Sequence, residues 1–157
     1  MDSFHNKIIR KIQLKNNDFF VLIYGFIIEL TIPKGVTSIG DCAFRDCHSL
    51  TSITIPEGVT SIGVSAFSNC HSLTSITIPD SVTSIGDYAF YACKSLTSIT
   101  IPDSVTSISG YAFGYCNSLK RVVITNVNTW IDSNVFIDCN ELEVILPDGK
   151  EIDPKWF

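Results

Sequence analysis

Thirteen residues, LTSITIPDSVTSI, fill positions 73–85 and recur letter for letter at 96–108, with the near-copy LTSITIPEGVTSI at 50–62. The three copies begin at evenly spaced positions, 50, 73 and 96. A chain that repeats at such a period puts equivalent residues into equivalent surroundings, and a stack of similar turns, each resting on its neighbours, is the arrangement that does so. A fold that gives every segment its own environment is excluded.

The repeat extends well beyond the thirteen letters. Ile32-Pro33, Ile55-Pro56, Ile78-Pro79, Ile101-Pro102 and Ile124-Thr125 stand in one column, as do Phe44, Phe67, Phe90, Phe113 and Phe136, and Cys47, Cys70, Cys93, Cys116 and Cys139. Five repeats fill residues 27–141. Each reads L-x-x-I-x-I-P, then V-T-S-I-G, then A-F-x-x-C. Alternation of Ile53 and Ile55 with Ser52 and Thr54 predicts a strand with one buried and one wet face. Pro56 ends that strand and is expected at the second position of a β-turn completed by Glu57-Gly58. V-T-S-I-G reads as a second short extended segment, closed by Gly40, Gly63 or Gly86 at a positive φ. In A-F-x-x-C, Phe and Cys three apart suit one side of a single helical turn, with Asp41 or Asp87 placed to cap it. The expected class is mostly β with short helical turns, wound into a solenoid.

Terminal rungs need a different outer face. One full period before Phe44, Cys47, Leu50 and Ile53 stand Val21, Tyr24, Ile27 and Leu30, so residues 1–26 read as a degenerate capping repeat. The competing reading is a signal peptide, because Lys7, Arg10, Lys11 and Lys15 precede the apolar run 19–28. Residues 142–157 read as a partial repeat and cap, with Trp156 and Phe157 as lids. No apolar run reaches the roughly 18 to 20 residues of a membrane span. With 45% apolar and 17% charged residues the chain is expected to be ordered, and a net charge of −5 leaves no excess cation for nucleic acid.

The unit LTSITIPDSVTSIGDYAFYACKS at 73–95 resembles the BspA-like leucine-rich repeat, in which an L-x-x-I-x-I-P strand precedes an I-G-x-x-A-F-x-x-C segment. The resemblance covers about 115 of the 157 residues. It implies a curved right-handed leucine-rich repeat solenoid with a parallel sheet on the concave face. It also implies an interaction protein of the cell surface or secreted space, of the kind associated with adhesion in anaerobic bacteria and protozoan parasites. Thr125 in place of Pro and Val135 in place of Ala depart from the pattern in the fifth repeat.

Candidate chemistry is sparse. Five of the six cysteines share one inward column and are expected as buried free thiols, whereas Cys42 stands off that column and is expected to be accessible. Cys47-His48 and Cys70-His71 offer zinc-type ligands, but adjacent residues on a short turn point apart, and Lys94, Asn117 and Asn140 follow in the His column. No nucleophile, base and orienting group assemble, and no phosphate-binding loop is present. No enzyme, metal or cofactor is expected.

The wet sheet face remains: Ser52, Thr54, Ser75, Thr77, Ser98 and Thr100, flanked by Glu29 and Thr31 on one side and Arg121 and Val123 on the other. Binding hot spots favour Trp, Tyr and Arg. The candidate surface therefore adds Trp130, which stands in a column otherwise holding Ser38, Ser61, Ser84 and Ser107, and which either meets a partner or caps the core. The expected function is a non-catalytic module for protein interaction or adhesion, its partner a protein. The alternatives are a structural spacer and, from the Thr array, an ice-binding solenoid. The compartment stays open, since unpaired thiols suit a reducing cytosol and the resemblance points outside the cell.

Overall fold

The computed structural model describes residues 18–19, 28–149 and 151–152. Strands are numbered in chain order. The L-x-x-I-x-I segments form β2 (Glu29–Thr31), β4 (Ser52–Thr54), β6 (Ser75–Ile76), β8 (Ser98–Ile101), β10 (Arg121–Ile124) and β12 (Glu143–Ile145). The V-T-S-I segments form β3 (Ser38–Ile39), β5 (Ser61–Ile62), β7 (Ser84–Ile85), β9 (Ser107–Ile108) and, in the fifth repeat, β11 (Trp130–Ile131), while β1 (Asp18–Phe19) pairs with β3. Every turn of the solenoid thus adds one strand to each of two parallel sheets. The second extended segment is not a mere connector: its ladder runs unbroken as β1-β3-β5-β7-β9-β11. The first sheet is hydrogen-bonded as β2-β4-β6 and again as β8-β10-β12, where β13 (Glu151–Ile152) adds antiparallel to β12.

Register follows the period. Ser52 pairs with Ser75 and Ser61 with Ser84, a full repeat onward in each case, which keeps each Ile over an Ile. The last step is shorter. Arg121 pairs with Glu143, just short of a full repeat, because Leu142 to Pro147 is one residue shorter than Leu119 to Thr125.

The apolar columns meet between the sheets. Phe44, Phe67, Phe90, Phe113 and Phe136 stack with ring centroids 5.2, 5.2, 5.1 and 5.8 Å apart. Such pairs add about 0.5 to 1.5 kcal/mol each beyond the area they bury. Leu50, Leu73, Leu96 and Leu119 and the paired Ile columns complete a single core.

The A-F-x-x-C segments correct the sequence expectation, since they contain no helix among the described residues. Their N–H groups alternate in direction. Those of Cys42, Phe44 and Asp46 reach the carbonyls of Val64, Ala66 and Ser68 in the next repeat at 2.7 to 2.9 Å. Those of Ala43, Arg45 and Cys47 close tight turns onto the residues three before them. A helix would send all of them along the segment. Alternation requires the peptide planes to flip, and the flips are made by left-handed residues at Cys42 (φ 56°) and Asp46 (φ 60°), repeated at Ser65, Asn69, Tyr88, Ala92, Tyr111, Tyr115 and Asp138. Each non-glycine residue in that region costs roughly 1 to 2 kcal/mol, offset by the bond it frees for the next rung. Asp41 does not cap its own turn either: its Oδ1 accepts the N–H of Val64 in the following repeat at 2.8 Å.

Two turn expectations also change. Proline takes the first position of its β-turn, not the second, since the N–H of Val59 donates to the Pro56 carbonyl at 3.4 Å and that of Val82 to Pro79 at 3.0 Å. The positive φ belongs to Gly35 (93°) and Gly58 (103°) inside that turn, and not to Gly40, Gly63 or Gly86. Glycine at 63 serves close approach instead, because a Cβ there would lie 2.8 Å from the backbone N of Asp41 and C of Gly40 in the rung beneath.

In the fifth repeat Thr125 has the N–H that proline lacks, and both its N–H and its hydroxyl donate to the Ile101 carbonyl, at 3.1 and 3.0 Å. The turn therefore closes one residue later, from the Thr129 N–H to the Asn126 carbonyl, and Val127 is left exposed. The proposed capping positions Val21, Tyr24, Ile27, Trp156 and Phe157, and the alternative signal-peptide reading, lie outside the described residues. Among those described, no helix is long and apolar enough to cross a membrane.

Replacing Gly63 by Ala should cost about 2 kcal/mol through the backbone clash, whereas Ser61→Ala on the neighbouring strand should cost under about 0.5 kcal/mol. Urea unfolding of the two variants measures this, and equal midpoints would contradict the close-approach account.

Candidate functional site

The first sheet presents its hydroxyl columns outward as the alternation requires. Thr54, Ser75, Thr77, Ser98 and Thr100 are exposed and Ser52 is half-buried. Arg121 is exposed beside Ser98 on one strand and Glu143 on the other, and Val123, half-buried, pairs with Thr100. These residues form one surface. Trp130 does not join it, because β11 belongs to the second sheet, where Trp130 pairs with Ser107. Trp130 is 58% exposed, and Val127, three positions before it in the chain, 71%.

Other threonines are held by the scaffold. The hydroxyls of Thr60, Thr83 and Thr106 each donate to the carbonyl of the threonine one rung below, at 3.0 to 3.1 Å, and Thr74 does the same to Thr51 at 3.2 Å. The cysteine column works similarly. Cys70, Cys93, Cys116 and Cys139 point their thiols at the carbonyls of Phe44, Phe67, Phe90 and Phe113, at 3.1 to 3.3 Å. None of the six cysteines is in a disulfide, and Cys42 is exposed. Burial pushes the Cys47 and Cys139 thiols up to about 11, and those of Cys70, Cys93 and Cys116 higher still. These are structural thiols.

His48 and His71 stack at 4.9 Å, with His48 Nδ1 2.9 Å from the Asn69 carbonyl. Desolvation, with smaller contributions from the charges of Lys94 and His48, lowers the pKa of His71. Among the described residues no group of three or more His, Cys, Asp or Glu is placed to hold a metal ion.

An aromatic cluster escaped the sequence reading. Tyr88 and Tyr111 stack at 5.0 Å, Tyr91 meets Tyr88 edge-on at 5.5 Å, and Tyr115 lies 5.2 Å from Tyr91. Gly114 admits the contact between rungs, since a Cβ there would lie 3.0 Å from Ile137 and 3.3 Å from Tyr91. Tyr115 also donates its hydroxyl to Asp138, which raises its pKa. The cluster draws on successive rungs, so Tyr88 and Tyr111 were visible as column-mates, but the meeting of that column with Tyr91 and Tyr115 depends on the turn geometry.

Residues 16–143 match the BspA type leucine rich repeat region, in six copies. The chain belongs to the BspA-type leucine-rich repeat family. A leucine-rich repeat protein of T. pallidum, 31% identical, aligns over 92% of this chain and 71% of its own, with a TM-score of 0.77. A leucine rich cell surface protein of Faecalibacterium prausnitzii A2-165 is 34% identical, with a TM-score of 0.77, over 82% of this chain and 35% of its own. The pneumococcal vaccine antigen PcpA, at 20% identity and a TM-score of 0.67 over 82% of this chain and 35% of its own, shares the fold. No curated protein matches this family member.

The thiol ladder gives two measurable outcomes. In native protein at neutral pH a thiol reagent should modify Cys42 fast, the half-buried Cys139 more slowly and the four buried column cysteines only after denaturation, and modification of any of those four as fast as Cys42 would contradict the buried ladder. Because the folded thiols titrate above their ordinary value near 9.0, folded and unfolded chains bind equal protons below about pH 9. Stability should then be full below that pH and fall as pH rises toward and through 11, and Cys93→Ala should flatten the fall in a urea-midpoint series.

Proposed function

We propose that this leucine-rich repeat chain is a non-catalytic module for protein interaction or adhesion, whose binding contact centres on the fifth repeat. The observation that carries this is the exposed Trp130. A column that holds serine in four successive rungs changes to the residue type most enriched in binding hot spots, and the side chain is exposed, as is that of Val127 three positions before it. The threonine hydroxyls of the V-T-S-I flank are engaged between rungs by the scaffold. The hydroxyl face from Ser52 to Thr100, with Arg121 and Val123, is a second, weaker contact surface on the side that we propose to be concave. The similarity to a protein described as a cell surface protein supports a partner outside the cell. An acidic chain without a cationic surplus supports a protein partner over nucleic acid.

Binding to a panel of purified matrix and cell-surface proteins tests the reading. The variant Trp130→Ser restores the residue of its own column, so its thermal midpoint should stay close to wild type. Its affinity for the bound partner should fall by a factor of about 30, the loss of one hot-spot side chain, and Arg121→Ser should lower it less. A wild-type chain that binds nothing on the panel would favour the spacer alternative.

A further inference from the structure

We propose that the tyrosine platform of the third to fifth repeats is a docking surface for a Lys- or Arg-bearing protein segment. It lies on the edge made by the A-F-x-x-C turns and is tested through Tyr88, Tyr115 and Asp138, none of which belongs to the proposed Trp130 contact.

The scaffold does not ask for tyrosine here. In the second repeat the same columns hold Ser65, Ser68 and Asn69, with Ser65 at φ 55° and Asn69 at φ 62°, and that rung stacks as well as its neighbours. Tyr88, Tyr111 and Tyr115 adopt the same left-handed conformation at φ 57 to 58°, where a bulky residue costs more than asparagine. Three large side chains are thus kept at positions that disfavour them. Two of them are exposed, Tyr88 at 39% and Tyr115 at 40%, as is Ile137 at 36%, while Tyr111 is half-buried. Their mutual contacts spread them into one continuous apolar area across three rungs. Residues retained against local preference, exposed and contiguous are what a contact surface requires.

Charge selects the occupant. Asp138 accepts the Tyr115 hydroxyl, and next to Tyr111 in the chain the Oδ1 atoms of Asp87 and Asp132 lie 3.6 and 3.3 Å from the place a Cβ would take at Gly110, that of Asp132 also accepting the Asn134 N–H at 3.2 Å. Of the lysines in these repeats, Lys94 acts on His71 and Lys120 is 3.6 Å from Glu141. A second copy of this surface would set carboxylate against carboxylate, and phosphate-bearing partners would be repelled. A Lys or Arg side chain lays its aliphatic stem along rings and brings its cation to the flanking carboxylates.

Three short synthetic peptides test this, one carrying Lys and Arg, one with Glu in their place and one neutral, together with a neutral oligosaccharide. Each is titrated into the full chain while the tyrosine ring resonances are followed by NMR. The cationic peptide alone should shift Tyr88, Tyr91, Tyr111 and Tyr115, less so at high salt. Tyr115→Asn and Tyr88→Ser, which place the second repeat's own residues in those columns, should each weaken it roughly tenfold, and Asp138→Asn should weaken it as well. An equal response to the Glu peptide, a preference for the oligosaccharide, shifts confined to other residues, no response at all, or affinity unmoved by the three variants would each overturn the proposal. The wild-type shifts decide the matter even where a variant unfolds.

Discussion

Every other feature of this molecule depends on one constraint: each rung must satisfy its backbone hydrogen bonds on the rungs above and below. In the two sheets that is ordinary parallel pairing. In the A-F-x-x-C segments it is achieved with no sheet at all, by sending alternate N–H groups upward and folding the others back three residues. The left-handed residues, the close-approach glycine at 63 and the carboxylate of Asp41 all follow from that alternation. Side chains with a spare donor then repeat the backbone's pattern, threonine on one flank and cysteine in the core. A buried carbonyl that accepts a thiol as well as an N–H carries less of the cost of leaving water.

The columns were legible because a period is a global property, readable without knowing any local conformation. Which residues face inward, how many turns there are, where the Phe and Cys stacks lie and which sheet face is wet all follow from spacing alone. Local geometry was less legible where two conformations share a spacing. Phe44 and Cys47, three apart, suit a helical turn and equally suit a turn closed at the third residue. Nothing in the letters separates the two, because the deciding bonds run to the next rung. Gly63 misled for a related reason: a glycine serves either a backbone angle or a missing Cβ, and only the neighbour's position shows which.

The candidate site was legible by residue type and not by grouping. Arg121 and Trp130 stand close together in the sequence of the most divergent repeat, yet they belong to different sheets. Tyr88, Tyr91, Tyr111 and Tyr115 sit in ordinary repeats and were passed over, although they meet. Divergence from a repeat marks where a residue is unusual. Adjacency across rungs marks where residues can act together, and that needs the winding of the turn.

The one-residue shortening between Leu142 and Pro147 has a consequence for how such a chain can change length. Gain or loss of a whole repeat brings every later column back onto an equivalent neighbour, so entire rungs are exchangeable units, as the identity of 73–85 and 96–108 illustrates. A change of a single residue shifts the phase of all that follows. Here that phase slip falls at β12, whose other edge is taken by β13 running the other way. The winding tolerates a fractional step only at the point where its own rule of succession has stopped applying.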